Sequence, residues 1–242
     1  MKNPRLVLVL AGAVAALGLT IGLTAAAPPA AKPKPPDVPL EIASIHWEYN
    51  ATAKDLGVHV ALDGEDWQKL QITNPDGKVI FKVKGLGPYK QLGLTELFFE
   101  GAEPDLSEFP LEDLLALFPE GTYTFSGRTV DGETIGGTSE FSHAIPDGPV
   151  VSSTVGPGNA VQISWTAVSA PPPGFPDEPI DVVSYQVLVP ETLDIIVPST
   201  VLSLTLPPEY SAALGPGDHP FEVLAIDANH NQTTSEGTFT LP

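Results

Sequence analysis

The sequence predicts an all-β protein made of two tandem Greek-key β-sandwiches, with a short helix in the first. Apolar residues recur at every second position over long stretches, and turn residues separate these stretches at short intervals. Part of the first block also returns in the second: a shift of 96 positions brings Gly121 onto Gly217 and Phe125 onto Phe221. An ungapped sequence match across a turn and a hairpin indicates two domains of the same fold.

Composition narrows the functional classes. The chain has 242 residues, which suits two domains of ordinary size. Eleven Lys and Arg stand against 30 Asp and Glu, so the net charge is −19, and no Lys or Arg follows Arg128. Such a surface repels nucleic acid and anionic lipid headgroups, and it either keeps the protein soluble or attracts divalent cations. The lack of cysteine excludes disulfides, thiol catalysis and zinc–thiolate sites.

The N-terminal region predicts export. Residues 1–27 carry Lys2 and Arg5, then an apolar run and three alanines, which is typical of a signal peptide or an uncleaved anchor. Residues 28–37 form a proline-rich linker. We expect an extracellular, cell-surface or periplasmic protein that meets the membrane only through this N-terminal segment, if the segment is not cleaved.

The first module is predicted at 38–146. Strands are predicted around 45–49, 58–62, 70–72 and 79–83, where apolar and polar residues alternate. The sequence Asn74-Pro75-Asp76-Gly77 predicts a hairpin turn, because proline presets φ and glycine accepts positive φ. Tyr123 and Phe125 open a further strand, and a second hairpin turn follows at 130–133.

Residues 85–117 interrupt the strand pattern. We predict a loop around Gly85 and Pro88, a short buried strand at 97–99 and a helix at 110–117. The helix begins with proline and acidic residues and carries an apolar stripe. A helix of two turns needs tertiary packing, so we place it at the crossing between the two sheets.

Lys78, Lys82 and Lys84 share one face of the predicted return strand. Such a row could be a binding stripe, but a solvated sheet face is the favoured interpretation.

The second module is predicted at 150–242, after a short stiff linker at 147–149. Alternating rows fall at 161–165, 183–189, 202–206 and 221–225, with a proline-rich loop at 171–179 and a last strand through Phe239 and Leu241. About seven short strands in this length are what a Greek-key sandwich needs.

This second module resembles a fibronectin type III domain. The resemblance covers about 92 residues and is carried by Val161-Gln162-Ile163-Ser164-Trp165, Ser184-Tyr185-Gln186-Val187 and the segment 214–225. It implies that these segments are the second, third and sixth strands. At the corner before the sixth strand, the family usually has a tyrosine whose hydroxyl bonds back to the preceding turn. His219 stands at this corner here, and its imidazole could donate a hydrogen bond in place of the hydroxyl. The first module looks like a divergent immunoglobulin-like or fibronectin-like sandwich and keeps Tyr123 at this corner.

The sequence contains no recognisable catalytic motif. The five histidines lie in no nucleophile elbow and no zinc-binding helix, so we interpret each as a strand or turn residue; they are His46, His59, His143, His219 and His230. Trp47, Trp67 and Trp165 are predicted to be core residues. We therefore predict no enzyme and no catalytic, cofactor-binding or metal-ligating residues.

Two acidic segments are alternatives to this conclusion. Asp63-Gly64-Glu65-Asp66 forms a predicted acidic turn near Asn50 and Asp55, and oxygen ligands of this kind suit calcium. Asp227-Ala228-Asn229-His230-Asn231 imitates the alternation of a calcium loop for three positions. For both segments an ordinary Asx-rich turn is the favoured interpretation.

The function predicted from sequence is that of an exported, non-enzymatic binding or scaffold protein whose ligand is unidentified; a protein or a glycan is a possible partner. The alternative is a calcium-stabilised carbohydrate- or cell-wall-binding module, or an accessory of a secreted hydrolase.

Overall fold

The computed structural model of this protein describes Pro36–Pro190 and Thr192–Pro242. The predicted leader at 1–27 and most of the linker at 28–37 lie outside these residues. Strands dominate the described chain, which confirms the all-β prediction.

The first sandwich has two sheets. One contains β2, the first half of β3, and β5; the other contains β4, the second half of β3, β6 and β7, and β1 pairs with β7 in parallel. Its elements are β1 (Val38–Pro39), β2 (Ile42–Asn50), β3 (Asp55–Thr73), β4 (Val79–Lys84), α1 (Pro88–Leu92), β5 (Leu94–Glu100), α2 (Leu111–Leu117), β6 (Gly121–Thr129) and β7 (Thr134–Phe141). The core between the sheets includes Trp47 and Trp67, both fully buried, as predicted.

Strand β3 passes through both sheets, and the prediction of an acidic turn at 63–66 is wrong. Its 19 residues run without a turn, so the segment Asp63-Gly64-Glu65-Asp66 is a bend inside one strand. The pairing register of β3 shifts between Asp63 and Trp67, where the strand leaves one sheet for the other. At Gly64 a Cβ atom would stand 3.1 Å from Leu40 Cδ2, so the bend packs closely against the chain that enters β2.

Helix α2 confirms the predicted helix and its place. It connects β5 and β6, which belong to different sheets, and it buries Leu114 against the core. The strand before it is longer than expected and only partly buried, because Phe98 is 56 % exposed. The alternation in β5 directs Phe98 to the outside and Phe99 towards the core. Helix α1 was not predicted.

The second sandwich also has two sheets, β12-β9-β8 and β11-β10-β13-β14. Its elements are β8 (Val151–Gly156), β9 (Ala160–Trp165), β10 (Val182–Val189), β11 (Leu193–Pro198), β12 (Ser203–Thr205), α3 (Pro208–Leu214), β13 (Gly217–Asp227) and β14 (Gln232–Leu241). Trp165 and Tyr185 pack together in a separate core, with ring centroids 5.6 Å apart. A bulge between Val182 and Ser184 turns Val183 outward, so the alternation predicted to begin at residue 183 does not include this side chain in the core.

The strand order confirms the resemblance at the level of fold. The segments that carry it form β9, β10 and β13, which are the second, third and sixth of the seven strands. The corner is also present in both sandwiches. Tyr123 Oη donates to Pro119 O at 3.1 Å, and His219 Nε2 lies 3.1 Å from Gly215 O, again four residues back. Because a carbonyl only accepts, His219 must carry its proton on Nε2, and the imidazole replaces the tyrosine hydroxyl.

The two sandwiches share a continuous sheet. Strand β14 pairs in parallel with β2, with Gln232 opposite Glu48 and Thr234 opposite Asn50. Side chains extend this pairing, since Asn50 Nδ2 donates to Glu236 Oε1 at 2.7 Å and Gln232 Nε2 donates to Glu48. Backbone hydrogen bonds thus hold the modules together in addition to the short stiff linker predicted from the sequence.

Asn231 joins the two sandwiches through three side-chain hydrogen bonds. Its side chain is 1 % exposed; Oδ1 accepts from Trp47 N at 2.9 Å, and Nδ2 donates to Ser142 O and Ala144 O, each at 2.9 Å. Asn229 Nδ2 donates to the same Ala144 carbonyl at 2.9 Å. The amides of one turn therefore satisfy backbone groups of the neighbouring sandwich.

Candidate ligand-binding face

A row of cations crosses the outer face of the four-stranded sheet of the first sandwich. Lys84 of β4, Lys69 of β3 and Arg128 of β6 lie directly opposite one another, and Thr134 of β7 continues the row. Neighbouring strands lie about 4.8 Å apart, so the three charges cover roughly 10 Å. All three side chains are exposed. Successive residues of a strand point to opposite faces, so residues next to the cations, such as Leu70, face the core.

The row borders a shallow groove of about 330 Å³. Lys82, Gln71 and Ser126 form a second row beside the first, in register on the same three strands. Arg128 is held in place by a hydrogen bond from Nη1 to Gly132 O at 2.7 Å. The face therefore combines four cationic side chains with amide and hydroxyl groups.

Among the described residues, the Asp37 carboxylate reaches one end of this row, where Oδ2 accepts from Thr134 Oγ1 at 2.8 Å. Across the described residues, none of these cations lies within 4.0 Å of an Asp or Glu oxygen, although the chain holds 30 acids. Like charges directly opposite one another on neighbouring strands are destabilising. Direct pairing across the strands therefore does not stabilise these three like charges.

The equivalent face of the second sandwich carries the opposite charge. Asp194 of β11, Glu222 of β13 and Glu236 of β14 lie in one row, with Leu188 of β10 between the first two. Burial, and then the nearby Glu236 carboxylate, raise the pKa of Glu222. Because no Lys or Arg follows Arg128, only the first sandwich can present a cationic face.

The sequence indicates two of these lysines, Lys82 and Lys84, but favours a solvated sheet face for their row. Lys82 and Lys84 lie in the groove, whereas Lys78 sits in the hairpin turn and does not line it. Lys69 and Arg128 were missed, because their strands are paired through contacts far apart in sequence. The signal available in the sequence was the alternation of each strand. Lys69 precedes the buried Leu70, and Arg128 lies in the strand that carries the buried Phe125.

The predicted oxygen-ligand sets do not come together. Asn50 and Asp55 pair at one end of the β2–β3 hairpin, while Asp63 lies eight residues further along β3, roughly 26 Å away in an extended strand. In the second set, Asn229 N donates to Asp227 Oδ1 at 3.1 Å and Asn231 N to Asn229 Oδ1 at 2.8 Å, as in an Asx turn. Within 36–190 and 192–242, no group of three or more His, Asp or Glu side chains could hold a metal ion.

Two histidines form a cluster with carboxylates on the outer face of β2 and β3. His59 Nε2 lies 2.9 Å from Glu103 Oε1 and its Nδ1 lies 3.5 Å from Glu48 Oε2. Burial, then His59 and His230, lower the pKa of His46 to about 4. Burial raises the pKa of Glu48 despite the opposing influence of His59.

A serine stands beside this cluster. Ser44 Oγ lies 3.3 Å from His46 Nδ1. A general base works best when its pKa is near the operating pH, so an imidazole with a pKa of about 4 is a weak base for activating a hydroxyl. His46 lies in β2 and His59 in β3, in agreement with their interpretation as strand residues.

Comparisons with known proteins find solved structures that are similar to this chain at low sequence identity. No protein-family model matches the chain, and no curated protein matches it. Among solved structures, the chain is similar to a segment of two fibronectin type III domains from chicken tenascin, with 14 % identity, 86 % of this chain and 99 % of that chain covered, and a TM-score of 0.30. It is also similar to the fibronectin(III)-like modules of CbhA from Clostridium thermocellum, with 13 % identity, 82 % and 92 % coverage, and a TM-score of 0.29.

A further similar structure is a tetra-tandem repeat in the extending region of a large adhesion protein, with 16 % identity, 85 % of this chain and 48 % of that chain covered, and a TM-score of 0.28. At TM-scores this low, the description of the fold rests on the strand order of the protein itself. Within the part of the chain that the structure describes, no helix is both long and apolar enough to span a membrane.

Proposed function

We propose that this protein is an exported, non-enzymatic binding or scaffold protein that engages an anionic partner through the cationic face of its first sandwich. Export is inferred from the leader sequence at 1–27. Binding is inferred from the row of Lys84, Lys69 and Arg128.

The observation that carries the proposal is that the cations of this row form no ion pair among the described residues, although the chain has ample acids to pair with them. Clustered charge of one sign concentrates ligands of the opposite sign and speeds their association. A partner that supplies carboxylate or sulfate groups would relieve the repulsion within the row.

The junction supports the scaffold part of the proposal. Parallel pairing of β2 with β14 and the hydrogen bonds of Asn231 restrain the two sandwiches, so a ligand on one is held at a defined distance from the other. Preorganised surfaces lose less entropy on binding than flexibly tethered ones.

A sulfonate cation-exchange matrix tests the proposal without assuming a biological ligand. At about pH 7.5 and about 20 mM salt, a protein of net charge −19 should flow through unless it carries a local cationic site. We expect retention of the native protein and release near about 0.15 M salt, where the Debye length is about 8 Å.

The double variant Lys69→Ala/Lys84→Ala should flow through, and the control Lys78→Ala/Lys90→Ala, with the same charge change outside the groove, should be retained. Flow-through of the native protein, or equal retention of both variants, would reject the cationic face as a binding site.

A further inference from the structure

The groove offers neutral hydrogen-bonding groups next to its charges. In the described structure, the Gln71 amide and the Ser126 hydroxyl make no hydrogen bond within the protein. Both lie one row from the cations on the same strands. A ligand that fits here carries negative groups and, beside them, hydroxyls that can both donate and accept.

The shape of the face favours a carbohydrate over a protein. Protein interfaces depend on aromatic or apolar anchors at their centre. The apolar side chains that line this groove, Leu70 and Val83, are buried and half-buried, and none of its described lining residues is aromatic. The volume of about 330 Å³ lies at the lower end of the range for small-ligand sites, which corresponds to a short ligand segment.

The surrounding charge restricts the ligand further. Outside the row the protein is strongly acidic, so a long and densely charged polymer such as nucleic acid is repelled by most of the surface. A chain whose anionic groups are spaced by neutral sugars meets this repulsion only in part. The roughly 10 Å length of the row matches charges on neighbouring sugars rather than an extended polyanion.

We propose that the groove binds an anionic oligosaccharide, with carboxylate or sulfate groups on Lys84, Lys69 and Arg128 and sugar hydroxyls on Gln71 and Ser126. This inference rests on the proposed function and names its ligand class. Arg128, fixed by its bond to Gly132 O, presents its remaining donors for a bidentate contact with a carboxylate or sulfate.

Isothermal titration with defined oligosaccharides tests the inference. The probes are a uronic-acid tetrasaccharide, a sulfated tetrasaccharide and a neutral tetrasaccharide, and a glutamate tetrapeptide represents an acidic protein. We expect at least one charged sugar to bind the native protein and Lys78→Ala/Lys90→Ala equally. Binding to Lys69→Ala/Lys84→Ala should be at least about tenfold weaker, and so should binding of the neutral sugar to the native protein.

The hydroxyl contacts have their own test. Gln71→Ala leaves the cation row intact, so retention on the sulfonate matrix should be unchanged while the charged sugar binds about threefold to tenfold more weakly. Because Gln71 is a half-buried surface residue, loss of folding is checked by circular dichroism. Unchanged sugar binding in Gln71→Ala would contradict the proposed contact.

Three outcomes would overturn the ligand class. If the native protein is retained on the sulfonate matrix but binds neither charged sugar, the inference fails and the proposed function stands. If the glutamate peptide binds as tightly with the same dependence on Lys69 and Lys84, the partner is an acidic protein. If sedimentation shows low-salt self-association that Lys69→Ala/Lys84→Ala abolishes, the acidic face of a second copy occupies the groove.

Discussion

Replacing Asn231 by alanine should uncouple the two sandwiches. The side chain satisfies one backbone N–H and two backbone carbonyls of the first sandwich from a turn of the second. After substitution, Ala144 O keeps its bond from Asn229, but Trp47 N and Ser142 O lose the partners described here. The substitution therefore acts on the contact between the sandwiches and leaves both cores intact.

The expected effect follows from the number of bonds. Each intramolecular hydrogen bond contributes about 1 kcal/mol net, and a buried donor left unpaired costs about 1–3 kcal/mol. Loss of three bonds, with Trp47 N–H left buried, should lower the free energy of unfolding by about 3–4 kcal/mol. Asn231→Asp keeps an acceptor for Trp47 N–H but directs a carboxylate oxygen at two carbonyls, so it should cost at least as much.

Urea unfolding followed by tryptophan fluorescence measures this effect. Trp47 and Trp67 report on the first core and Trp165 on the second. We expect one transition in the native protein and two separated transitions in Asn231→Ala. The control Gln162→Ala removes an exposed amide from β9 and should keep the single transition of the native protein at its native midpoint. A native-like single transition in Asn231→Ala, shifted by less than about 0.5 kcal/mol, would refute the assigned role of this side chain.

Four further results are expected. Gly148→Val should lower the melting temperature measurably, because even a Cβ there would stand 2.4 Å from Ala51 Cβ; an unchanged melting curve would contradict this packing. His219→Phe should lower the unfolding free energy by about 1 kcal/mol and His219→Tyr should restore it, and equal stability of the two variants in urea would reject the corner hydrogen bond. His46 has an unfolded pKa of 6.5 and a folded pKa of about 4, so the unfolded state takes up the proton first and up to about 3 kcal/mol of stability is lost as the pH falls from 6.5 to 4. Unfolding of His46→Leu across this range should show a flatter dependence, and an identical slope would exclude His46 as its source. Lys69→Gln should raise the unfolding free energy by about 0.5 kcal/mol at low salt and not at high salt, whereas destabilisation would argue that the cation row is structural.

The alternation of apolar residues was sufficient to predict the fold class and most strands. The period of two at 45–49 and 161–165 leads directly to β2 and β9, and the proline and glycine of residues 74–77 lead to the observed turn. Asn74 O accepts from Gly77 N at 2.9 Å, and Gly77 has a φ of 79°. Local chemistry decides each of these features, so the sequence is enough to find them.

Features that depend on distant contacts were not accessible in the same way. The glycine and acids at 63–66 resemble a turn, but pairing with β5 on one side of the bend and with β4 and β6 on the other keeps the chain extended. The cation row likewise forms from strands that are 15 to 59 positions apart in sequence, counted from Lys69 to Lys84 and to Arg128. Strand register is set by the packed sheets, and a single sequence does not display it.

A protein whose two sheets are threaded by one uninterrupted strand has no spare length between them. In most sandwiches an insertion between consecutive strands is absorbed by a surface loop. Here one residue added near Gly64 would reverse the inside and outside of everything from Trp67 to Thr73, and with it the orientation of Lys69. The number of residues from Asp55 to Thr73 thus determines which side chains face outward. Engineered variants of the cationic face should keep this number unchanged and vary the outward-facing residues.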